Sequence, residues 1–321
     1  MNIFLTGCTG FLGSHILFQL CQQNNHYIFC IIRKKESINL FSKFPNIIER
    51  CRFIISDIDT PEKYKDVLQK CHVVIHTASP VILKKIESVE EENRQIISPA
   101  INNVKNIMDN INHDIFVRMI FTSSVAAVYN KDKTCDETCW NLENSDAYAR
   151  SKVLSEVECF KYGRQGVNIV SVNSSAFFGP DIIDKKSKNN ELIKKILKSP
   201  FYPISANIKM TFSDVRDVAR FHVLSLDTDK IHHGRYIVCN RSIDTKTIVD
   251  ECKKIAPKKV NVPIVYLNLR LLSILAQITR SQNTDFQSYV SYNPSFDNSK
   301  SKKYIEYTKM EDTFRDMLES M

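Results

Sequence analysis

The chain has 321 residues, 43% of them apolar and 25% charged, with ten cysteines and a formal charge of +8. That length and apolar content suit a packed protein with room for a large sheet and a smaller lobe, and exclude a disordered chain. Lysines gather at 185–188, 194–195 and 302–303 without interleaved aromatics, so the positive charge reads as a solvated surface and not as a nucleic-acid-binding face.

The first element expected is a strand over the apolar run Asn2-Ile3-Phe4-Leu5, and no charged and apolar leader stands before it. A cytoplasmic protein with reduced thiols is therefore expected. Next comes Thr6-Gly7-Cys8-Thr9-Gly10-Phe11-Leu12-Gly13, which holds three of the seven glycines in the chain, and then Ser14 to Cys21, whose apolar positions recur at helical spacing. Strand, glycine turn and helix in this order make a phosphate cradle. Glycine permits positive φ and close approach, and the amides and dipole at the helix start favour an anion. The spacing is GxxGxxG, and it predicts a dinucleotide site.

Further strands are expected at Tyr27–Ile32, 52–56, 73–77, 116–122 and 168–173, with amphipathic helices at 90–110 and 148–162 between them. Such alternation predicts an α/β fold with a doubly wound parallel sheet of Rossmann type. A cofactor domain is expected over 1–180 and a smaller C-terminal substrate lobe over 181–321, interleaved by a strand near 234–239 that returns to the main sheet. Residues 264–278 form the most apolar stretch, but Arg270 interrupts it and it falls short of the ~20 residues needed to span a bilayer, so a core helix is expected there. No metal site is expected. His72 and His76 lie on a strand, roughly 13 Å apart, and Cys135 and Cys139 have no histidine near them.

Candidate chemistry collects at the ends of these strands. Arg33 stands twenty residues after Gly13, where a dinucleotide fold meets the adenine ribose, and Glu36 is the nearest acid. A guanidinium there suits a 2′-phosphate, which favours NADP(H) over NAD(H). Asp57, past the third strand, suits the adenine amino group. Tyr148 and Lys152 lie one helical turn apart, so a phenol can protonate a developing alkoxide while the ammonium lowers its pKa and holds the nicotinamide ribose. Tyr129 and Lys133 share the spacing, but the polar stretch between them reads as a loop. Ser124, with Ser123 as the alternative, ends the fifth strand and can hydrogen-bond a substrate carbonyl. Phe177, Phe178, Tyr202 and Phe212 suggest an apolar wall for the substrate.

Taken together the chain resembles the extended short-chain dehydrogenase/reductases, and within them the dihydroflavonol reductase/cinnamoyl-CoA reductase-like group. The resemblance rests also on Val74-Ile75-His76-Thr77-Ala78-Ser79-Pro80, on Asp136-Glu137-Thr138-Cys139-Trp140, on Val215-Arg216-Asp217-Val218-Ala219-Arg220 and on Phe296-Asp297-Asn298-Ser299-Lys300. It implies Ser124, Tyr148 and Lys152 as catalytic triad. It implies Gly7, Gly10 and Gly13, with Phe11 and Leu12, at the pyrophosphate, and Arg33 at the 2′-phosphate. Asp57 and Ile58 would meet adenine, Ala78 and Ser79 the nicotinamide ribose. Ser174 would lie on the nicotinamide side, although the group usually has Asn-Pro before its Gly-Pro and this chain has 173–178 before Gly179-Pro180. Residues 145–148 bear little likeness to the Asn-Trp-Tyr-Cys-Tyr segment of lignin-pathway enzymes, which argues against a plant phenylpropanoid substrate. The expected function is NADPH-dependent reduction of an aldehyde or ketone by a monomer or homodimer. The alternatives are an NAD-dependent nucleotide-sugar epimerase or 3β-hydroxysteroid dehydrogenase-like enzyme, and a non-catalytic NADP-binding regulator.

Overall fold

The computed structural model describes residues 1–320 apart from 24, 81–85, 87, 132, 144–145, 199–203, 262–264 and 268–293. Tyr202 and most of the core helix expected over 264–278 fall outside the described residues; within that span Val265–Leu267 is a short strand.

The strands are β1 (Asn2–Thr6), β2 (Tyr27–Ile32), β3 (Cys51–Ile55), β4 (Val73–His76), β5 (Arg118–Ser124), β6 (Ile169–Ser174), β7 (Ala176–Phe178), β8 (Ile204–Ala206), β9 (Lys209–Asp214), β10 (Gly234–Val238), β11 (Arg241–Asp244) and β12 (Val265–Leu267). The helices are α1 (Phe11–Gln22), α2 (Pro45–Arg50), α3 (Lys65–Leu68), α4 (Val89–Glu92), α5 (Ser98–Met108), α6 (Ala147–Arg164), α7 (Lys188–Leu197), α8 (Val215–Leu224), α9 (Thr245–Ile255), α10 (Ser299–Lys302) and α11 (Met310–Ser320). Seven strands form one sheet in the order β10-β6-β5-β4-β1-β2-β3, and every pairing in it is parallel. The expected doubly wound sheet is observed, with β10 at one edge.

Both sheet faces are covered, which is why the strands read as nearly continuous apolar runs. Ile3, Leu5, Val73 and Ile75 point to the face covered by α1 and α8, through Leu12, Ile16, Val215 and Val218. Phe4, Val74, Met119 and Phe121 point to the other face, where Val104 and Ile107 of α5 and Cys159 of α6 meet them. The helix expected over 90–110 is broken into α4, a π-helical turn over Asn93–Ile97, and α5. Pro99 supplies the reason: it has no amide to donate one turn back, so the ladder loosens just before it.

A second body of structure carries its own core. Strands β11, β9 and β7 form a three-stranded sheet, and Phe178, Phe212, Ile248, Phe314 and Met317 pack together between that sheet and α7, α9 and α11. Phe178 and Phe212 are only 1% and 0% exposed, so they are core residues of this lobe and not the substrate wall their aromatic character suggested. Phe177 instead turns toward Phe11 at the start of α1, ring centroids 5.9 Å apart.

Candidate functional site

Parallel register brings the carboxyl ends of the central strands level. Thr6 pairs with His76, and Ser124 with Ser174, so the glycine loop, β4, β5 and β6 all open at one edge of the sheet. Open α/β sheets bind ligands at that edge.

The glycine loop is built as a cradle. Gly7 has φ of +75°, a left-handed conformation, and a β-carbon on it would collide with Thr77 Oγ1 and lie 2.9 Å from the Ala78 amide. A β-carbon on Gly13 would collide with the Gly7 carbonyl. The loop is thus compressed between β4 and the first turn of α1, where Gly10 caps the helix with neither a side-chain cap nor an acid in that turn. The first-turn amides of Phe11 and Leu12 belong to the helix end that attracts anions. Exposed Lys185, from the segment after Gly179-Pro180, donates to the Thr9 carbonyl at 3.0 Å and brings a cation to the same loop. The sequence places it in the 185–188 lysine cluster, read as solvated surface and not as part of this site.

Arg33 follows β2 directly and is exposed, with Lys34 and Lys35 beside it. Asp57 follows β3, where its Oδ1 accepts from the Ile58 amide at 2.7 Å. The Ile58 side chain is buried in the core, and its carbonyl accepts from Tyr64 and from Asn106. A cleft of about 700 Å³, lined by Asp59, Arg94, Asn102 and Asn106 among others, opens beside this turn. Ala78 donates to Thr6 Oγ1 at 3.2 Å, which places Ala78 and Ser79 next to the glycine loop.

At the centre of the edge stand Ser124, Tyr148 and Lys152. Asp146 caps α6 by accepting from the Ala149 amide at 2.8 Å, so Tyr148 falls in the first turn and Lys152 in the second. Ser124 lies beside the Tyr148 phenol, close enough to pull its pKa down, and Ser124 Oγ accepts from the Ala126 amide at 3.1 Å. Ser123 points elsewhere: it donates to Glu156 at 2.8 Å. The structure therefore brings Ser124, and not Ser123, to the phenol. The competing Tyr129 lies beyond β5 outside any helix and packs near Phe296, centroids 6.3 Å apart.

The electrostatics depart from expectation in one respect. Burial raises the Tyr148 pKa, Ser124 pulls it down in part, and Asp146 adds to the rise. Lys152 is not the group that lowers it. Its ammonium lies 5.8 Å from the centroid of the Tyr148 ring and donates to the Thr122 carbonyl at 3.0 Å, so it faces the ring and the strand and not the hydroxyl. Burial pushes Lys152 down to about 8, opposed by the Glu156 carboxylate and Cys159. His76, stacked on Phe121 and bonded to Thr6, is pushed down to about 3 by burial and by Lys152, so it stays neutral.

Behind these groups lies an ion pair that the sequence reading did not foresee. Glu156, fully buried, meets Arg235 of β10 at 2.7 Å, and Arg235 lies over the Trp140 ring at 3.9 Å. A buried carboxylate one turn beyond Lys152 was the available signal, but its partner is 79 residues away. Among the described residues no three histidine, cysteine or acidic side chains converge as metal ligands, and no helix is long and apolar enough to cross a membrane. His72 instead accepts from the Asn2 amide.

A parallel seven-stranded sheet with a glycine cradle and a Ser/Tyr/Lys cluster at its carboxyl edge defines a dinucleotide-binding α/β protein. Residues 3–239 match the NAD dependent epimerase/dehydratase family, and the chain belongs to it. It is 26% identical over 296 residues to the NADPH-dependent methylglyoxal reductase of Saccharomyces cerevisiae, a match covering 82% of this chain and 85% of that protein. It is 28% identical over 251 residues to vestitone reductase of Medicago sativa, covering 73% and 75%. The crystal structure of yeast methylglyoxal/isovaleraldehyde reductase complexed with NADPH superposes with a TM-score of 0.79 at 23% identity, over 100% of this chain and 98% of that one.

Proposed function

We propose that the chain is an NADPH-dependent reductase that converts a small aldehyde or ketone to the alcohol. The observation that carries this reading is the Ser124 hydroxyl beside the Tyr148 phenol, with the Lys152 ammonium against the same ring, at the sheet edge that holds the glycine cradle. The relatives named for reduction of methylglyoxal and vestitone support a carbonyl substrate.

The residues present fit the cofactor. Gly7, Gly10 and Gly13 with Phe11 and Leu12 would hold its diphosphate and Arg33 its 2′-phosphate. Asp57 and Ile58 would meet adenine, Ala78, Ser79 and Lys152 the nicotinamide ribose, and Ser174 the nicotinamide side. Bound NADPH supplies the hydride. Ser124 and Tyr148 would both donate to the carbonyl oxygen, which polarises the carbonyl and fixes its face toward the nicotinamide. As charge grows on that oxygen, Tyr148 gives up its proton; a phenol whose pKa burial has raised remains protonated and available at neutral pH. Lys152, anchored on Thr122, would fix the ribose side. Residues 181–321 would supply the substrate lobe, with β7 of the first segment joining its sheet and β10 returning to the large one. The ten free, buried cysteines fit a reducing compartment, and a cytoplasmic location is part of the proposal.

The test follows absorbance of the reduced nicotinamide with NADPH and with NADH over small dicarbonyls, aliphatic and aromatic aldehydes, keto esters and flavanones. Saturable turnover of one class with NADPH is expected. Tyr148→Phe should lower kcat by roughly 10²–10⁴-fold while NADPH still binds. No turnover with any carbonyl, together with tightly retained NAD, would transfer the assignment to the epimerase alternative. NADP(H) binding without turnover of either kind would transfer it to a non-catalytic regulator.

A further inference from the structure

We propose that the buried Glu156–Arg235 pair is a positioning device for the reaction: it locks the end of β5 to α6 and β10, and it sets the charge that Lys152 meets. This rests on the reductase reading. Glu156 is 0% exposed and Arg235 6%. Glu156 accepts from Ser123 at 2.8 Å, from Asn173 of β6 at 3.1 and 3.3 Å, and from Arg235 at 2.7 and 3.3 Å. Asn173 in turn donates to the Ser124 carbonyl at 3.2 Å. Arg235 spends its remaining donors on the carbonyls of Glu137, Cys139 and Ala127, and its guanidinium covers the face of Trp140. One ion pair thus ties together the strand that carries Ser124, the helix that carries Tyr148 and Lys152, and the chain from 127 to 140 that follows the serine.

A packing role alone does not call for charge at this place. Fully buried ion pairs are often no more stabilising than apolar residues of the same volume, so what the pair does for Lys152 is the more informative question. Glu156 lies four residues after Lys152 on one helix face. The groups facing the ammonium are Tyr148, Glu156 and Cys159 from α6, His76 from β4, and the Thr122 carbonyl and Phe121 ring from β5. His76 and the Cys159 thiol are held neutral by burial. Glu156 is therefore the one negative charge acting on Lys152 among these groups, and it is ion-paired with Arg235 at 2.7 Å.

The experiment measures kcat/KM with NADPH against pH for the wild type, Glu156→Gln and Arg235→Met. Removing the carboxylate leaves Lys152 facing Arg235, so its alkaline limb should move down by about one pH unit; removing the guanidinium leaves the carboxylate unopposed, so the limb should move up. The same opposite shifts should appear in the pH dependence of NADPH affinity, which needs no turnover. Emission of Trp140, the only tryptophan in the chain, should change in Arg235→Met and stay near wild type in Glu156→Gln. If Arg235→Met does not fold because the Glu156 carboxylate is stranded, the double variant Glu156→Gln/Arg235→Met removes both charges and should place the limb between its wild-type pH and that of Glu156→Gln while kcat stays reduced. Limbs that do not move, or that move the same way in both single variants, overturn the proposal. A wild type inactive on every carbonyl instead overturns the reductase reading, and the affinity profiles then decide the pair's role.

Discussion

Lys152 makes the pH dependence of this site unusual. Its folded pKa of about 8 lies below the ~10.4 of a free lysine, because burial penalises the ammonium more than Glu156 favours it. Between those two values the unfolded chain binds more protons than the folded one, so this group's contribution to stability rises with pH across that window. Activity should fall across the same window as the ammonium is lost. A kcat/KM profile declining above pH ~8, with a melting temperature that does not decline with it, is the expected result; parallel loss of both would assign the limb to unfolding. Arg33 gives a second residue-level test. Its exposure and basic neighbours fit a phosphate contact, so Arg33→Ala should weaken NADPH binding by about tenfold or more and leave NADH binding nearly unchanged. Titration of each nucleotide against the reduced-nicotinamide fluorescence separates the two.

Among the elements, the strand-glycine-helix opening was legible because each part has its own local signature: a buried strand, residues that tolerate no β-carbon, and an amphipathic helix. The β-carbon of Gly13→Ala would collide with the Gly7 carbonyl, whose position is itself fixed by a left-handed residue, so α1 must lift from the loop. Nucleotide affinity should drop by at least tenfold, with a destabilisation of roughly 1–3 kcal/mol, read by titration and by urea unfolding. Near-wild-type affinity would show that the loop does not cradle the diphosphate. Strands β4, β5 and β6 were equally legible, since burial on both faces writes a run of apolar residues. The Glu156–Arg235 pair was not, because nothing in 156 or its neighbours specifies a partner on β10. Phe178 and Phe212 misled for a related reason: an aromatic on a three- or six-residue strand looks the same whether it lines a cleft or fills a core. The direction of the Lys152 ammonium, toward Thr122 and the ring face, depends on the packing of α6 on β5, which spacing alone does not give.

At the scale of the whole molecule, two bodies with separate cores share one chain. The lobe core around Phe178, Phe212 and Phe314 has no residue in common with the cores of the large sheet. Beside the apolar contact of Phe177 with Phe11, the connections between them include polar ones: Asp214 receives Arg216 at 2.7 Å and Thr313 at 2.8 Å, Arg216 reaches Asp316 of α11 at 2.5 Å, and Asp217 receives Thr308 at 2.7 Å. Such a seam lets the lobe loosen while the cofactor half stays folded. Phe314 isolates the question, since it is fully buried and stacks on Phe212 with centroids 5.9 Å apart. Phe314→Ala should destabilise the lobe by about 3–5 kcal/mol and split urea unfolding into two steps, the first abolishing carbonyl turnover and the second abolishing NADPH binding. Loss of both at a single midpoint would show instead that the seam couples the halves as tightly as a shared core, and that the nucleotide cradle depends on the closing helix at the end of the chain.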